Sequence, residues 1–298
     1  MDYDFEFERV KKEIVRRKAK KVLVQLPEGL KQYAKEIMDK LSETGAEIIL
    51  SADPCYGACD IKVNYDLTIH YGHTQMIPSK NVVYVPCYSK KDVMPVVKKA
   101  EQLLPKSVGI VTTAQHLHKV AEVMNYLKKK SFSVHVHRNA QILGCDVSNA
   151  LAIKDKVDGF LFIGSGLFHP QMLSFATKKK VIRADPYTGE VEKVEENWEK
   201  ERYIRISKAV KASTFAIVIG EKPGQKHLRQ AMELKKKIPN SYLISAENIK
   251  PELLDYLPFD AFVITACPRI VLDDWKNYKK ALLLPDEALE LMKIIDSY

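Results

Sequence analysis

Five thiols are the residues of this chain best able to do chemistry. Two lie in Asp53-Pro54-Cys55-Tyr56-Gly57-Ala58-Cys59-Asp60, and the others are Cys87, Cys145 and Cys267. A thiolate is both a nucleophile and a soft metal ligand. Cys59 follows the apolar run Ala46-Glu47-Ile48-Ile49-Leu50, which reads as a buried strand, and Pro54 and Gly57 make what comes next an irregular loop. Cys145 lies in Leu143-Gly144-Cys145-Asp146, after the strand Val134-His135-Val136-His137. Cys267 ends a third apolar strand, and Pro268 stops that strand from continuing. Open α/β sheets place ligands at such strand ends. Cys59, Cys145 and Cys267 are therefore read as three ligands of a 4Fe–4S cluster, with one iron left open for chemistry. Cys55 and Cys87 are read as packed thiols, because half a zinc site needs a second CxxC or HxxxH that is missing here.

Other polar residues argue less. His70 and His73 border the first apolar region, His135 and His137 share one face of a strand, and His169 follows Gly164-Ser165-Gly166. That glycine run lacks the G-x-S-x-G form of a hydrolase elbow, and no nucleophile–base pair argues for hydrolysis.

The elements that must position these thiols recur with a period of roughly 100 residues. Each round brings a buried strand (21–26, 107–111, 214–220), a helix (30–41, 116–130, 224–237) and a second strand (46–50, 134–137, 241–244). A strand led by aspartate follows in each: Asp66-Leu67-Thr68-Ile69, Asp158-Gly159-Phe160-Leu161 and Asp260-Ala261-Phe262-Val263. A fourth strand closes each round (82–85, 180–183, 281–284), and charged helices span 7–21 and 194–211. Alternating strands and helices predict an α/β fold: three similar α/β domains with mostly parallel sheets around a pseudo-threefold axis. The expected boundaries are 1–103, 104–205 and 206–298, with the Cys59, Cys145 and Cys267 loops in turn. Three independent Rossmann-like domains sharing only a common periodicity are the alternative.

The chain of 298 residues carries a formal net charge of +9. The clusters Lys128-Lys129-Lys130, Lys178-Lys179-Lys180 and Lys235-Lys236-Lys237 fall where helices or hairpins end, which suits helix C-termini and solvated faces. The other reading is a surface for an acidic or RNA-associated partner, but no RNA-binding motif is visible and direct nucleic-acid recognition is not expected. No apolar run reaches the roughly 20 residues of a membrane span, and the acidic start has no signal-peptide form. The expectation is a cytoplasmic protein whose thiols serve metal or catalysis rather than disulfides.

Gln25-Leu26-Pro27-Glu28-Gly29-Leu30, Asp53 to Asp60, His70-Tyr71-Gly72-His73, Leu143-Gly144-Cys145 and Thr265-Ala266-Cys267-Pro268-Arg269 resemble the diphthamide-synthase radical enzymes, the 2-(3-amino-3-carboxypropyl)histidine synthases. The likeness runs from about residue 20 to the C-terminus and is to the archaeal, homodimeric form. It implies one cluster cysteine per domain, and motif by motif these match Cys59, Cys145 and Cys267. It also implies that S-adenosylmethionine, bound at the open iron, is cleaved at its sulfur–Cγ bond once an electron donor has reduced the cluster. The 3-amino-3-carboxypropyl group would pass to a histidine of translation elongation factor two, leaving methylthioadenosine. The tight CxxxCxxC of the larger radical family is absent, since Asp60-Ile61-Lys62 follows Cys59, as a dispersed-cysteine relative requires. Strand-to-helix turns offer backbone amides to a carboxylate, so Gln25, Gly29, Gly224 and Gln225 are the expected cofactor-binding residues. One rival is a quinolinate-synthase-like enzyme using the open iron as a Lewis acid, and another is a zinc or nucleotide sensor.

Overall fold

The protein is described by a computed structural model covering residues 2–195 and 198–296. It divides into two compact units, Met1–Glu195 and Glu196–Tyr298. In the first unit, strand β1 (Tyr3–Asp4) and helix α1 (Phe7–Arg16) precede β2 (Lys21–Gln25), α2 (Ala34–Ser42), β3 (Glu47–Leu50), β4 (Leu67–Tyr71) and β5 (Val82–Val85). β2 to β5 form a parallel sheet in the order β3-β2-β4-β5, and β6 (Tyr88–Ser89) pairs with β1 as an antiparallel ribbon.

The unit continues through α3 (Met94–Ala100), β7 (Ser107–Thr112), α4 (Val120–Lys129), β8 (Ser133–His135) and α5 (Ser148–Leu151). β9 (Gly159–Ile163), α6 (Phe168–Thr177), β10 (Lys180–Ala184) and β11 (Val191–Lys193) complete it. The second sheet runs β8-β7-β9-β10, all parallel, with β11 added antiparallel at the β10 edge.

The second unit starts with α7 (Trp198–Ala209) and β12 (Phe215–Gly220), followed by α8 (Leu228–Lys237), β13 (Ser241–Ala246) and α9 (Pro251–Leu254). β14 (Ala261–Ile264), α10 (Arg269–Leu272), β15 (Ala281–Leu283) and α11 (Pro285–Asp296) end it. Its sheet runs β13-β12-β14-β15, again parallel.

All three sheets thus carry one strand order, second-first-third-fourth. The protein is a mixed α/β fold of mostly parallel sheets, as its alternating pattern predicts. Burial explains the pattern. The inner strands β4, β9 and β12 are buried at every position, so they read as unbroken apolar runs. The outer strands β3, β8 and β13 are only partly buried.

The aspartates that open the third strand of each round now have a physical reason. Asp66 Oδ2 accepts from the backbone N–H groups of Lys20 and Lys21, each at 2.9 Å, at the start of β2. Asp260 Oδ2 accepts from both N–H and hydroxyl of Ser213 and Thr214 at 2.8–3.0 Å, just before β12. Asp158 donates its own N–H to the carbonyl of Ser107, the first residue of β7, at 2.9 Å. In each sheet the aspartate ties the entry of the third strand to the entry of the first.

Helix bounds differ from expectation for local reasons. The helices expected over 30–41 and 116–130 begin as 3₁₀ turns, Glu28–Tyr33 and Ala114–Lys119, and become α-helical only at Ala34 and Val120. Their first bonds are i→i+3, Leu30 N–H to Pro27 and His116 N–H to Thr113. α1 stops at Arg16 because Lys18 takes a left-handed φ of 52°. Of the helix expected over 194–211, residues 196 and 197 lie outside the described residues. Arg205 of α7 is buried and meets Glu287 of α11 through Nη2–Oε1 at 2.5 Å and Nε–Oε1 at 3.1 Å.

Candidate metal centre

Each of the three thiols expected to bind iron stands beyond the carboxyl end of a parallel sheet. None of the five cysteines is in a disulfide. Cys59 is held by the side chain of Gln25, the last residue of β2. The Gln25 amide N–H donates to the Asp60 carbonyl at 3.1 Å, and its oxygen accepts from the Lys62 N–H at 2.9 Å. Two backbone groups just after Cys59 are thereby fixed to the sheet. Gln25 is 1% exposed, and its amide braces the loop from the sheet.

Cys145 sits on a two-residue turn. Leu143 and Asp146 exchange both backbone hydrogen bonds, at 2.8 and 3.0 Å, leaving Gly144 and Cys145 at the tip. The turn is fastened to α6: the Gly144 N–H donates to His169 Nδ1 at 2.8 Å. Glycine is needed there, because a Cβ would stand 1.9 Å from the Phe168 ring. Gln141 aligns with Thr112 at the end of β7, so the exposed Cys145 projects past the strand ends.

Cys267 comes three residues after β14 ends at Ile264, and its carbonyl accepts from Ile270 N–H at 3.2 Å as α10 begins. Gly220 at the end of β12 lets this segment close in, since a Cβ on it would meet Ala266 at 2.9 Å and Gln225 at 3.1 Å. Gln225 is 8% exposed and closes a turn, donating its N–H to the Lys222 carbonyl at 2.8 Å. Gly29 lies in the 3₁₀ turn after β2 with open space around its α-carbon.

The structure also assembles a group that spacing alone had left as packed side chains. Cys55, His70 and His73 bring one donor atom each to within 4.8 Å of the others. The His70 Nε2 atom is 4.0 Å from Cys55 Sγ and 3.0 Å from His73 Nδ1. On its other side, His70 Nδ1 is 3.4 Å from Gln25 Oε1, which can only accept. That contact places the His70 proton on Nδ1 and turns the Nε2 lone pair toward Cys55 and His73. Burial, and then the neighbouring His73, push His70 down to about 3, and burial lowers His73 to about 4. Both imidazoles are therefore neutral near pH 7. The signal in the sequence was the His70-x-x-His73 spacing, which makes a metal pair only when the Cys55 loop folds back over β4.

Cys87 differs from the rest. It is fully buried at the end of β5, adopts a left-handed φ of 57°, and burial pushes its thiol up to about 12. It stays protonated and packed, as expected. Its neighbourhood joins the two sheets of the first unit: Gln115 donates to the carbonyls of Gly72 and Pro86 at 2.7 and 3.2 Å, and Gln141 to Thr74 Oγ1 at 2.6 Å. His135 shares a hydrogen bond with the Ser133 hydroxyl at 3.1 Å on an outer strand.

No helix among the described residues is long and apolar enough to cross a membrane. The basic runs Lys128–Lys129 and Lys235–Lys237 occupy the last turns of α4 and α8, where positive charge meets the helix carboxyl end.

Comparison with known proteins agrees with the fold. The chain is 35% identical to the 2-(3-amino-3-carboxypropyl)histidine synthase of Pyrococcus horikoshii, covering 96% of this chain and 90% of that one. It is 31% identical to the synthase of the same name from Methanocaldococcus jannaschii, covering 98% and 90%. A crystal structure of Dph2 from Pyrococcus horikoshii with a 4Fe-4S cluster superposes with a TM-score of 0.90 at 33% identity, over 100% of this chain and 93% of that chain. The model of the putative diphthamide synthesis proteins matches residues 26–297, and the chain belongs to that family.

Proposed function

We propose that this chain carries out the first step of diphthamide formation, transferring the 3-amino-3-carboxypropyl group of S-adenosylmethionine to a ring carbon of a histidine in translation elongation factor two. The observation that carries the reading is the near full-length match, at 35% identity, to a protein named for this synthesis. A structural relative at TM-score 0.90 holds a 4Fe-4S cluster.

The donor set of this chain fits such a group. Cys59, Cys145 and Cys267 are thiols outside any disulfide, each partly or fully exposed, and each on a short turn at the carboxyl end of a parallel sheet. Thiolates are the ligands iron–sulfur clusters take. We assign these three as the cluster ligands. The cluster, when bound, would supply the electron and the open iron that break the sulfur–Cγ bond and release methylthioadenosine.

The chain's own residues do the positioning. Gln25 fixes the backbone just after Cys59, Gly144 seats Cys145 against α6, and Gly220 admits the segment leading to Cys267. Gln25, Gly29, Gly224 and Gln225 are the proposed contacts for S-adenosylmethionine, whose carboxylate suits backbone N–H donors. The working form is proposed to be a cytoplasmic homodimer served by an external electron donor.

The test is anaerobic protein with dithionite, S-adenosylmethionine and the elongation factor. Methylthioadenosine should appear, with a matching mass gain on the factor. Serine at Cys59, Cys145 or Cys267 should lower bound iron and abolish both products. A cluster-loaded protein that releases no methylthioadenosine would overturn the proposal and favour Lewis-acid chemistry.

A further inference from the structure

We propose that Cys55, His70 and His73 form a second metal site, separate from the three thiols assigned to the cluster, that takes one zinc-type divalent ion. The argument is geometric. Zinc–nitrogen and zinc–sulfur bonds of about 2.1 and 2.3 Å at tetrahedral angles set neighbouring donors about 3.4 Å apart for two nitrogens and about 3.6 Å for nitrogen and sulfur. The observed separations are 3.0 Å for His70 Nε2 to His73 Nδ1 and 4.0 Å for His70 Nε2 to Cys55 Sγ. All three donors lie within 4.8 Å of one another, so relative side-chain shifts of at most about 1.2 Å complete the site.

The surroundings are those of a built site. Cys55 and His70 are 5% and 0% exposed, while His73 is half-buried and leaves a side from which an ion can enter. His70 is held from behind by Gln25 Oε1 on its Nδ1, the arrangement that orients a ligating imidazole and keeps Nε2 for the metal. A thiolate with two imidazoles is a donor set suited to zinc. The site gives three protein ligands and leaves the fourth position for water.

Its location says what it does. Cys55 belongs to the loop that carries Cys59, whereas His70 lies in β4 and His73 just beyond it. An ion on these three residues would clamp the loop to the sheet at Cys55, before Cys59, while Gln25 braces it at Asp60 and Lys62, after Cys59.

The test is a metal count on the anaerobically purified full-length chain, followed by cobalt substitution. About one zinc per chain is expected beside the iron. It should persist in Cys59→Ser, which removes an assigned cluster ligand, and be lost in Cys55→Ser and His73→Gln. Gln25→Ala keeps all three donors and should weaken zinc affinity about 10–100-fold. Cobalt should show tetrahedral d–d bands and a thiolate charge-transfer band, and in Cys55→His the first should remain while the second disappears. That retained-metal variant separates a lost ligand from a lost fold. The proposal is overturned if the wild-type chain takes up no zinc on titration, or if Cys55→Ser and His73→Gln keep it.

Discussion

Gln25 is a single side chain on which two sites depend. Its amide satisfies the Asp60 carbonyl and the Lys62 N–H beside Cys59, and its oxygen also faces His70. Replacing it with alanine leaves buried backbone groups unpaired, a loss of about 1–3 kcal/mol. Chemical denaturation should register that loss, and hydrogen exchange should rise in residues 55–62 before it rises elsewhere in the first unit. Gly144→Ala is a sharper case. A Cβ at 1.9 Å from the Phe168 ring must push the turn off α6, and overpacking of this kind costs about 1–3 kcal/mol. Bound iron in Gly144→Ala should fall while the circular dichroism of the chain stays that of wild type.

At this scale the sequence singled out one set of thiols and passed over the other group. Cys59, Cys145 and Cys267 stood out because each follows a recognisable strand. Cys55, His70 and His73 did not, because their meeting depends on a loop folding back across fifteen residues onto a neighbouring strand. Gln25 was seen as important from its place in a turn, but its buried amide is a tertiary fact that no local pattern encodes.

Among the elements, the aspartate preceding each third strand is the recurring device. Asp260 gathers four donors on one oxygen, and those hydrogen bonds hold its carboxyl well below the usual carboxylate range. Asp66 is lowered likewise, by the N–H groups of Lys21 and Lys20. A carboxyl that is more acidic folded than unfolded stabilises the fold above its unfolded value near about 4, and loses that effect as the pH falls toward its folded value. Asp260→Asn should therefore melt earlier than wild type at pH 7, and the gap in melting temperature should narrow as the pH drops below about 4. A gap that stays constant to low pH would mean the carboxylate charge is not what ties β14 to β12.

The parallel strands were readable nearly to the residue, since unbroken β-branched and apolar runs mark strands covered on both faces. β11 was missed: Val191-Glu192-Lys193 is a short, mostly exposed edge strand with no apolar run to announce it. It is held instead by Arg183 of β10, whose guanidinium meets Glu192 at 2.9 Å and Glu190 and Asp185 at 3.0 Å. The 3₁₀ starts after β2 and β7 were also invisible, because residues that begin a 3₁₀ turn here go on to a helix of ordinary composition.

For the whole molecule, two compact units mean that damage can be local. Arg205 and Glu287 are 2% and 1% exposed in the second unit, and Glu287 also accepts from the Leu284 N–H at 3.0 Å. Removing one partner of such a buried pair costs about 3–5 kcal/mol, because the other charge is left without compensation. Glu287→Ala should raise hydrogen exchange across residues 198–296 and leave the protected amides of β2, β4, β7 and β9 unchanged. Equal loss of protection in both units would show that they unfold together.

The buried thiol at the end of β5 makes that experiment possible without any added label. With its proton held so tightly and no solvent beside it, Cys87 cannot meet an alkylating reagent until the first unit opens. In the cluster-free chain Cys145, exposed on its turn, reacts in the native state and times the reagent itself. The chain therefore carries its own stopwatch: the ratio of adducts at these two positions, read by mass spectrometry, gives the opening rate of the first unit.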